Sequence, residues 1–184
     1  MTAADERTLV VRAAGGDGAA FEQLIELHGR RTYRMLVRIV GDPSDAEDVL
    51  QETFLKAWRA LPRFRGQAQF STWLYRIAVN EANRRLARER RHRSLPLEDT
   101  LAEVPDLEPG PPAHAESVEL QELVAWCISE LPAQYREAVV LRDIEGLTNE
   151  EAAEALGLTV RNFKSRLHRG RMGIRRMLEQ HQAR

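Results

Sequence analysis

Thr148-Asn-Glu-Glu-Ala-Ala-Glu-Ala-Leu-Gly-Leu-Thr-Val-Arg-Asn-Phe-Lys-Ser-Arg-Leu-His-Arg-Gly-Arg171 is the stretch whose reading decides the fold. Thr148 to Glu151 has the form of a capping box, in which the threonine hydroxyl takes the amide three residues on and Glu151 reaches back to the amide of Thr148. A short turn follows at Gly157-Leu158-Thr159. Beyond it Val160, Phe163, Leu167, Ile174 and Leu178 share one face of a second helix. Helix, glycine-containing turn and helix in this order make a helix-turn-helix. The opposite face, counted at about 100° per residue, carries Arg161, Asn162, Ser165, Arg169 and Arg176, with Lys164, Arg166 and His168 at its margins. From Arg161 to Arg176 there are seven Lys/Arg and no acid. A basic helix face is usually only a solvated surface. On the second helix of a helix-turn-helix it is also what a major groove requires, with cations for phosphate and Ser, Asn and Arg for base edges. Duplex DNA binding is therefore expected from Arg161, Asn162, Lys164, Ser165, Arg166, His168 and Arg169.

The same periodicity extends upstream. Helices are predicted at roughly 116–130, 133–144, 149–156 and 160–178, with Pro132 suited to a helix start and Gly146 to a stop. In the N-terminal half no run shows the alternation of a half-buried strand, so the fold class is all-α. A helix is predicted after Pro43-Ser44, with Ala46, Val49, Leu50, Phe54, Ala57, Trp58 and Leu61 on one face and Ser44 with Glu47 as its capping box. Another precedes it, through Phe21, Leu24, Ile25 and His28 and then Leu36, Val37 and Val40, until Gly41-Asp42-Pro43 stops it. A third runs from about Ser71 to Arg91.

That third helix has a basic cluster, Arg76, Arg84, Arg85, Arg88, Arg90, Arg91 and Arg93, broken only by Glu81 and Glu89. Phe64, Phe70, Trp73 and Tyr75 precede or enter it, four of the chain's eleven aromatics. Rings beside a cationic track suit stacking of unpaired bases along a phosphate backbone. Phe70, Trp73, Leu74 and Ile77 also have core spacing, which leaves Phe64 and Tyr75 as the freer rings.

Charge divides the chain into three parts. Residues 1–94 hold 17 Lys/Arg against 12 Asp/Glu, residues 95–125 hold none against 8, and residues 126–184 hold 10 against 8. Five of the eight prolines, Pro96, Pro105, Pro109, Pro111 and Pro112, fall in the middle part. A polar, acidic, proline-broken stretch resists folding alone, so 95–115 is read as a flexible linker between two small helical domains, 1–94 and 116–184. The longest apolar run, Leu123 to Ile128, is far short of the roughly 20 residues of a membrane span. Met1 to Leu9 has no signal-like apolar stretch, and a cytoplasmic chain is expected. The single cysteine, Cys127, excludes an internal disulfide and reads as buried filler; five scattered histidines offer no zinc spacing, and neither metal nor cofactor is expected. No nucleophile with its base and no phosphate-cradling glycine loop is present, so an enzyme is not expected.

Two further stretches carry a resemblance. Asp45-Ala-Glu-Asp-Val-Leu-Gln-Glu-Thr-Phe-Leu-Lys-Ala-Trp58 and Phe64-Arg-Gly-Gln-Ala-Gln-Phe-Ser-Thr-Trp-Leu-Tyr-Arg-Ile-Ala-Val-Asn80, followed by Leu131 to Arg171, resemble in order the core-binding, melting and C-terminal segments of the extracytoplasmic-function group of bacterial sigma factors. The resemblance implies a subunit that binds RNA polymerase core through its β′ and β subunits, directs it to promoter DNA and promotes melting. It implies docking on β′ through Asp48, Gln51, Glu52 and Leu55, acid against base around an apolar centre. It further implies capture of unpaired minus-ten bases by Phe64, Phe70, Ser71, Trp73, Arg76, Asn80 and Arg84, where a preformed pocket offsets the cost of flipping. The minus-thirty-five element falls to the last helix, and an anti-sigma factor is an expected partner. The chain departs from the group's common pattern at Arg161-Asn162-Phe163, where Gly-Thr usually precedes the hydrophobic residue. An ordinary helix-turn-helix regulator is the second reading, although it leaves the Asp45 to Trp58 and Phe64 to Asn80 stretches without purpose.

Overall fold

The computed structural model describes residues 3–93 and 115–182, with side chains over 5–89 and 120–181. The described residues form eight α-helices and no strand: α1 (Ala3–Ala14), α2 (Gly18–Val40), α3 (Pro43–Ala60), α4 (Phe70–Arg93), α5 (Ala115–Ser129), α6 (Ala133–Val139), α7 (Asn149–Ala155) and α8 (Val160–Gln182). A 3-10 turn, Leu61–Arg63, follows α3, and a π-turn, Val140–Ile144, continues α6. The all-α expectation holds. Of the linker expected over 95–115 only Ala115, the first residue of α5, lies inside the described residues.

Local chemistry sets the boundaries. Asp17 caps α2 by accepting from the Ala20 amide at 3.1 Å, and Gly41, at φ 90°, closes it with its amide on the Val37 carbonyl. The capping box expected at Ser44 and Glu47 is not the cap. Asp42 takes that place, its Oδ1 accepting from the Asp45 amide at 2.9 Å, because Pro43 occupies the first helical position and moves the cap from Ser44 to Asp42. The second box forms as expected, Thr148 Oγ1 accepting from the Glu151 amide at 3.1 Å and Glu151 Oε2 from the Thr148 amide at 2.8 Å. Helix α1 is an addition to the sequence reading. It buries Leu9, Val10 and Ala13 against α2 and ties Glu6 to His28.

Two clusters make the core. One gathers Leu9, Phe21, Leu24, Phe54, Leu61, Phe70 and Leu74 within the first half. The other runs across both halves, from Met35, Leu36, Ile39, Tyr75 and Val79 to Val139, Leu141, Ala152 and Phe163. Burial of each large side chain contributes about 1.5–3 kcal/mol, so the second cluster binds the halves together. A polar staple accompanies it: Arg136 of α6 donates to the Ile39 carbonyl at 2.9 Å and to the Leu131 carbonyl at 3.1 Å. The Ile39 carbonyl is among the last of α2, where a cation also meets the negative helix end. Burial holds the Arg136 guanidinium below its ordinary pKa. Cys127 is fully buried, as expected of filler, and burial pushes its thiol up.

Candidate nucleic-acid interface

Helix α8 is positioned by its apolar stripe. Phe163 is fully buried and Leu167 nearly so, which turns Arg161, Asn162, Lys164, Ser165, His168 and Arg169 outward and leaves Arg166 half-buried. Thr159 Oγ1 accepts from the Asn162 amide at 3.2 Å and anchors the helix start. Arg169 Nη1 donates to the Tyr135 hydroxyl at 3.2 Å. Further along, Arg171 is held by both carboxylate oxygens of Asp143, at 2.6 and 3.0 Å, and Arg175 by Glu179 at 2.7 Å. The basic stretch therefore divides: its first half faces solvent, and in its second half Arg171 and Arg175 are engaged in ion pairs. Behind α8 lies a cavity of about 370 Å³ with an apolar lining from Val124, Ile128, Val139, Ile174 and Leu178. Sequence reading placed Ile174 and Leu178 on the apolar face of this helix and missed the opening.

The aromatic edge of α4 is built differently. The 3-10 turn ends with the Phe64 amide on the Leu61 carbonyl at 2.9 Å, and Gly66, at φ 67°, carries the loop to α4. Phe64, Phe70 and Trp73 form one group of tilted and edge-to-face rings, with ring centres 5.0 Å apart for Phe64 and Trp73 and 5.7 Å for Phe70 and Trp73. Phe70 is buried and sits 5.2 Å from the His28 ring, while Phe64, Ser71 and Trp73 remain half-exposed. Asn80, Arg76 and Arg84 are exposed, Arg84 pairing with Glu81 at 2.7 Å. The reading of Tyr75 as a free ring is corrected. Its side chain is 1% exposed because it faces the second half of the chain, where its hydroxyl lies 3.3 Å from Glu145 Oε2.

On α3 the sequence expectation and the surface agree. Asp48, Gln51, Glu52 and Leu55 are exposed together, Leu55 at 51%. Asp48 lies 4.0 Å from Arg85, which is also paired with Asp45 and with Glu89.

The contact between the halves brings together residues that sequence reading did not connect. Arg31 of α2 donates to Glu145 Oε2 at 2.8 Å and to the Glu145 carbonyl at 2.6 Å. Arg76 of α4 meets Glu154 of α7 at 3.6 Å. A signal for the first was present in the run Arg30, Arg31, Arg34 and Arg38, four cations without an acid between them. Among the described residues no group of three or more His, Cys, Asp or Glu is arranged to hold a metal, and no helix is long and apolar enough to cross a membrane.

Comparison with known proteins fixes what this pair of helical units is. Residues 24–92 match Sigma-70 region 2 and residues 121–172 match Sigma-70, region 4. The chain is 38% identical to the RNA polymerase sigma-H factor of Pseudomonas aeruginosa over 190 residues, covering 97% of this chain and 96% of that protein. The chain belongs to the ECF sigma factors. It is equally 38% identical to the ECF RNA polymerase sigma-E factor of Escherichia coli over 178 residues, with 92% of each covered. Among solved structures, CnrH in complex with the cytosolic domain of CnrY superposes with a TM-score of 0.68 at 31% identity, over 95% of this chain and 97% of CnrH. As a sigma factor the protein directs RNA polymerase to promoters in transcription initiation, and the family consists of non-catalytic initiation factors. The regulator reading is not favoured, because both regions are present on one chain.

Proposed function

We propose that this sigma factor divides promoter opening between two surfaces, with 1–94 binding polymerase core and the opened minus-ten strand and 116–184 reading the minus-thirty-five duplex, 95–115 joining them. The observation that carries the reading is the outward row Arg161, Asn162, Lys164, Ser165, His168 and Arg169 on a helix whose other face is locked by Phe163 and Leu167. That row supplies duplex contacts, with Arg166 at its margin. Phe64, Ser71, Trp73, Arg76, Asn80 and Arg84 contact unpaired bases and their phosphates, and Phe70 forms the floor of that site. Asp48, Gln51, Glu52 and Leu55 dock on a basic surface of core polymerase. The chain has no turnover of its own and acts in the cytoplasm. CnrH was solved with the cytosolic domain of CnrY, and this sigma factor likewise takes a protein partner, an anti-sigma factor; the apolar cavity behind α8 fits an amphipathic helix from a protein.

Paired variants test the division. Ser165→Ala with Arg169→Ala weakens closed-complex formation on duplex promoter by about 1–3 kcal/mol for each base that is no longer read. Phe64→Ala with Asn80→Ala leaves duplex binding near normal and slows opening, a defect eased on a template with a premelted minus-ten bubble. Easing of the first pair and not of the second on that template overturns the division. Asp48→Lys with Glu52→Lys weakens binding of purified core enzyme in fluorescence anisotropy, and unchanged affinity removes α3 from that interface.

A further inference from the structure

Glu145 is an acid in an unusual place. It follows a π-turn, in which its own amide donates to the Val140 carbonyl five residues back at 2.9 Å, and Gly146, at φ 75°, ends the turn immediately after it. Such one-turn widenings are often retained where a side chain must be aimed. The side chain of Glu145 is 4% exposed and points out of the second half of the chain onto the first. There its carboxylate and carbonyl receive the Arg31 guanidinium at 2.8 and 2.6 Å, and the Tyr75 hydroxyl lies 3.3 Å from the same carboxylate oxygen. Burial, reinforced by Glu145, pushes the Tyr75 hydroxyl up from its ordinary value, so it is a proton donor at any physiological pH.

Taken from the first half alone, this is a planar guanidinium and a neutral hydroxyl converging on one anionic oxygen, donors of the kind that hold a phosphate. Its place in the fold gives the phosphate a source. Tyr75 stands on α4 between Trp73 and Arg76, the segment assigned above to the opened strand. A second acid from the same half as Glu145, Glu154, lies on Arg76 at 3.6 Å. Two carboxylates of the second half thus sit on two cations of the first, while the remaining staple, Arg136 on the Ile39 carbonyl, involves neither cation.

We propose that Arg31 and the Tyr75 hydroxyl form a phosphate-binding site for single-stranded DNA, and that Glu145 fills it in this arrangement of the two halves as a carboxylate in place of a phosphate. The site extends the aromatic edge by one backbone phosphate, so it rests on the reading of α4 given above. Separation of the halves withdraws Glu145 and opens the site to the DNA strand. Polymerase and promoter therefore compete with an internal ligand, and strand binding by the free chain is reduced by the fraction of molecules held closed.

The full-length chain tests this with a fluorescent oligo(dT) of about twelve nucleotides, a length within the range such surfaces span. Glu145→Ala tightens binding about threefold or more, because the closed fraction falls. Adding Arg31→Ala to Glu145→Ala then weakens binding about fivefold relative to Glu145→Ala alone, the worth of one ordinary hydrogen bond. It also lowers the slope of log K against log salt by about 0.7, the change expected when a single strand has one phosphate fewer neutralised. If Arg31 and Glu145 merely tether the halves, Arg31→Ala changes nothing once Glu145 is gone, and that result overturns the proposal, as does an unchanged affinity of Glu145→Ala. Phe64→Ala separates the two readings. Weaker binding by Phe64→Ala with no response to Arg31 or Glu145 overturns the phosphate site and keeps the aromatic edge; no response to any of the three overturns both.

Discussion

Helix α8 and helix α4 are each long, basic and assigned to DNA, yet they are made accessible in different ways. The working row of α8 projects from a helix anchored by Phe163, and its neighbours Arg171 and Arg175 are satisfied by Asp143 and Glu179 of the same half. The working edge of α4 is partly its own core: Phe70 is buried, Phe64 and Trp73 lean on it, and Tyr75 and Arg76 are engaged by Glu145 and Glu154 of the other half. A duplex-reading surface needs only a rigid helix and outward side chains. A surface for unpaired bases needs rings shielded until a base takes the place of their neighbours, and that makes it dependent on what packs against it.

The sharpest way to break this contrast is to truncate one ring on each side. Phe163→Ala should cost about 3–5 kcal/mol, the range for a fully buried phenylalanine. Phe64→Ala should cost about 1 kcal/mol, since part of its surface already faces solvent. Urea denaturation of both variants measures the difference. Equal costs would make Phe64 a core residue and remove it from the DNA-facing edge.

A smaller effect is expected from the mid-helix glycines. A Cβ at Gly170 of α8 would stand 2.7 Å from Val139 Cγ2 and 3.1 Å from the Tyr135 carbonyl, so Gly170→Ala should destabilise by about 1–3 kcal/mol through overpacking against α6. At Gly29 of α2 the nearest atoms would be Ile25 Cγ2 at 3.8 Å and Phe54 Cε2 at 3.9 Å, ordinary contacts. Gly29→Ala should therefore stabilise by up to about 1 kcal/mol from helix propensity alone. Melting temperatures should move in opposite directions, and a shared sign would show that the α6–α8 approach is looser than its geometry.

The same two helices show what a sequence can display. The face of α8 was legible because its residues meet at helical spacing within one turn or two, and the apolar stripe fixed which way it looks. The start of α3 was legible to within two residues; Asp42 and Ser44 are both good caps, and Pro43 between them decided. Helix α1 was missed because it offers only Leu9, Val10 and Ala13 as core, while Val11 is 68% exposed and blurs the stripe. Tyr75 was misread for a different reason. Its partner Glu145 is 70 residues away in the chain, and Arg31 is 114 away from the same acid. Periodicity reports which face of a helix is apolar, and it carries no information about which distant helix will cover it.

The smallest expected effect separates the halves by pH. His28 of α2 is 14% exposed, with Nε2 at 3.1 Å from Glu6 Oε1 and its ring against Phe70. Burial pulls its pKa below the ordinary 6.5, with Arg31 adding to the lowering and Glu6 opposing it. The unfolded chain therefore takes a proton at His28 before the folded chain does. The contribution of neutral His28 is fully present above about pH 6.5 and is lost as pH falls through the folded value. Urea unfolding followed between about pH 7.5 and 5.5 should show the wild type losing stability faster than His28→Gln, whose side chain cannot charge. Carboxylates that titrate in this range are common to both proteins and cancel in the comparison. Parallel curves would mean that the Glu6 carboxylate fully offsets burial at His28; divergence would place the acid-sensitive part of the fold directly beneath Phe70, at the floor of the surface assigned to unpaired bases.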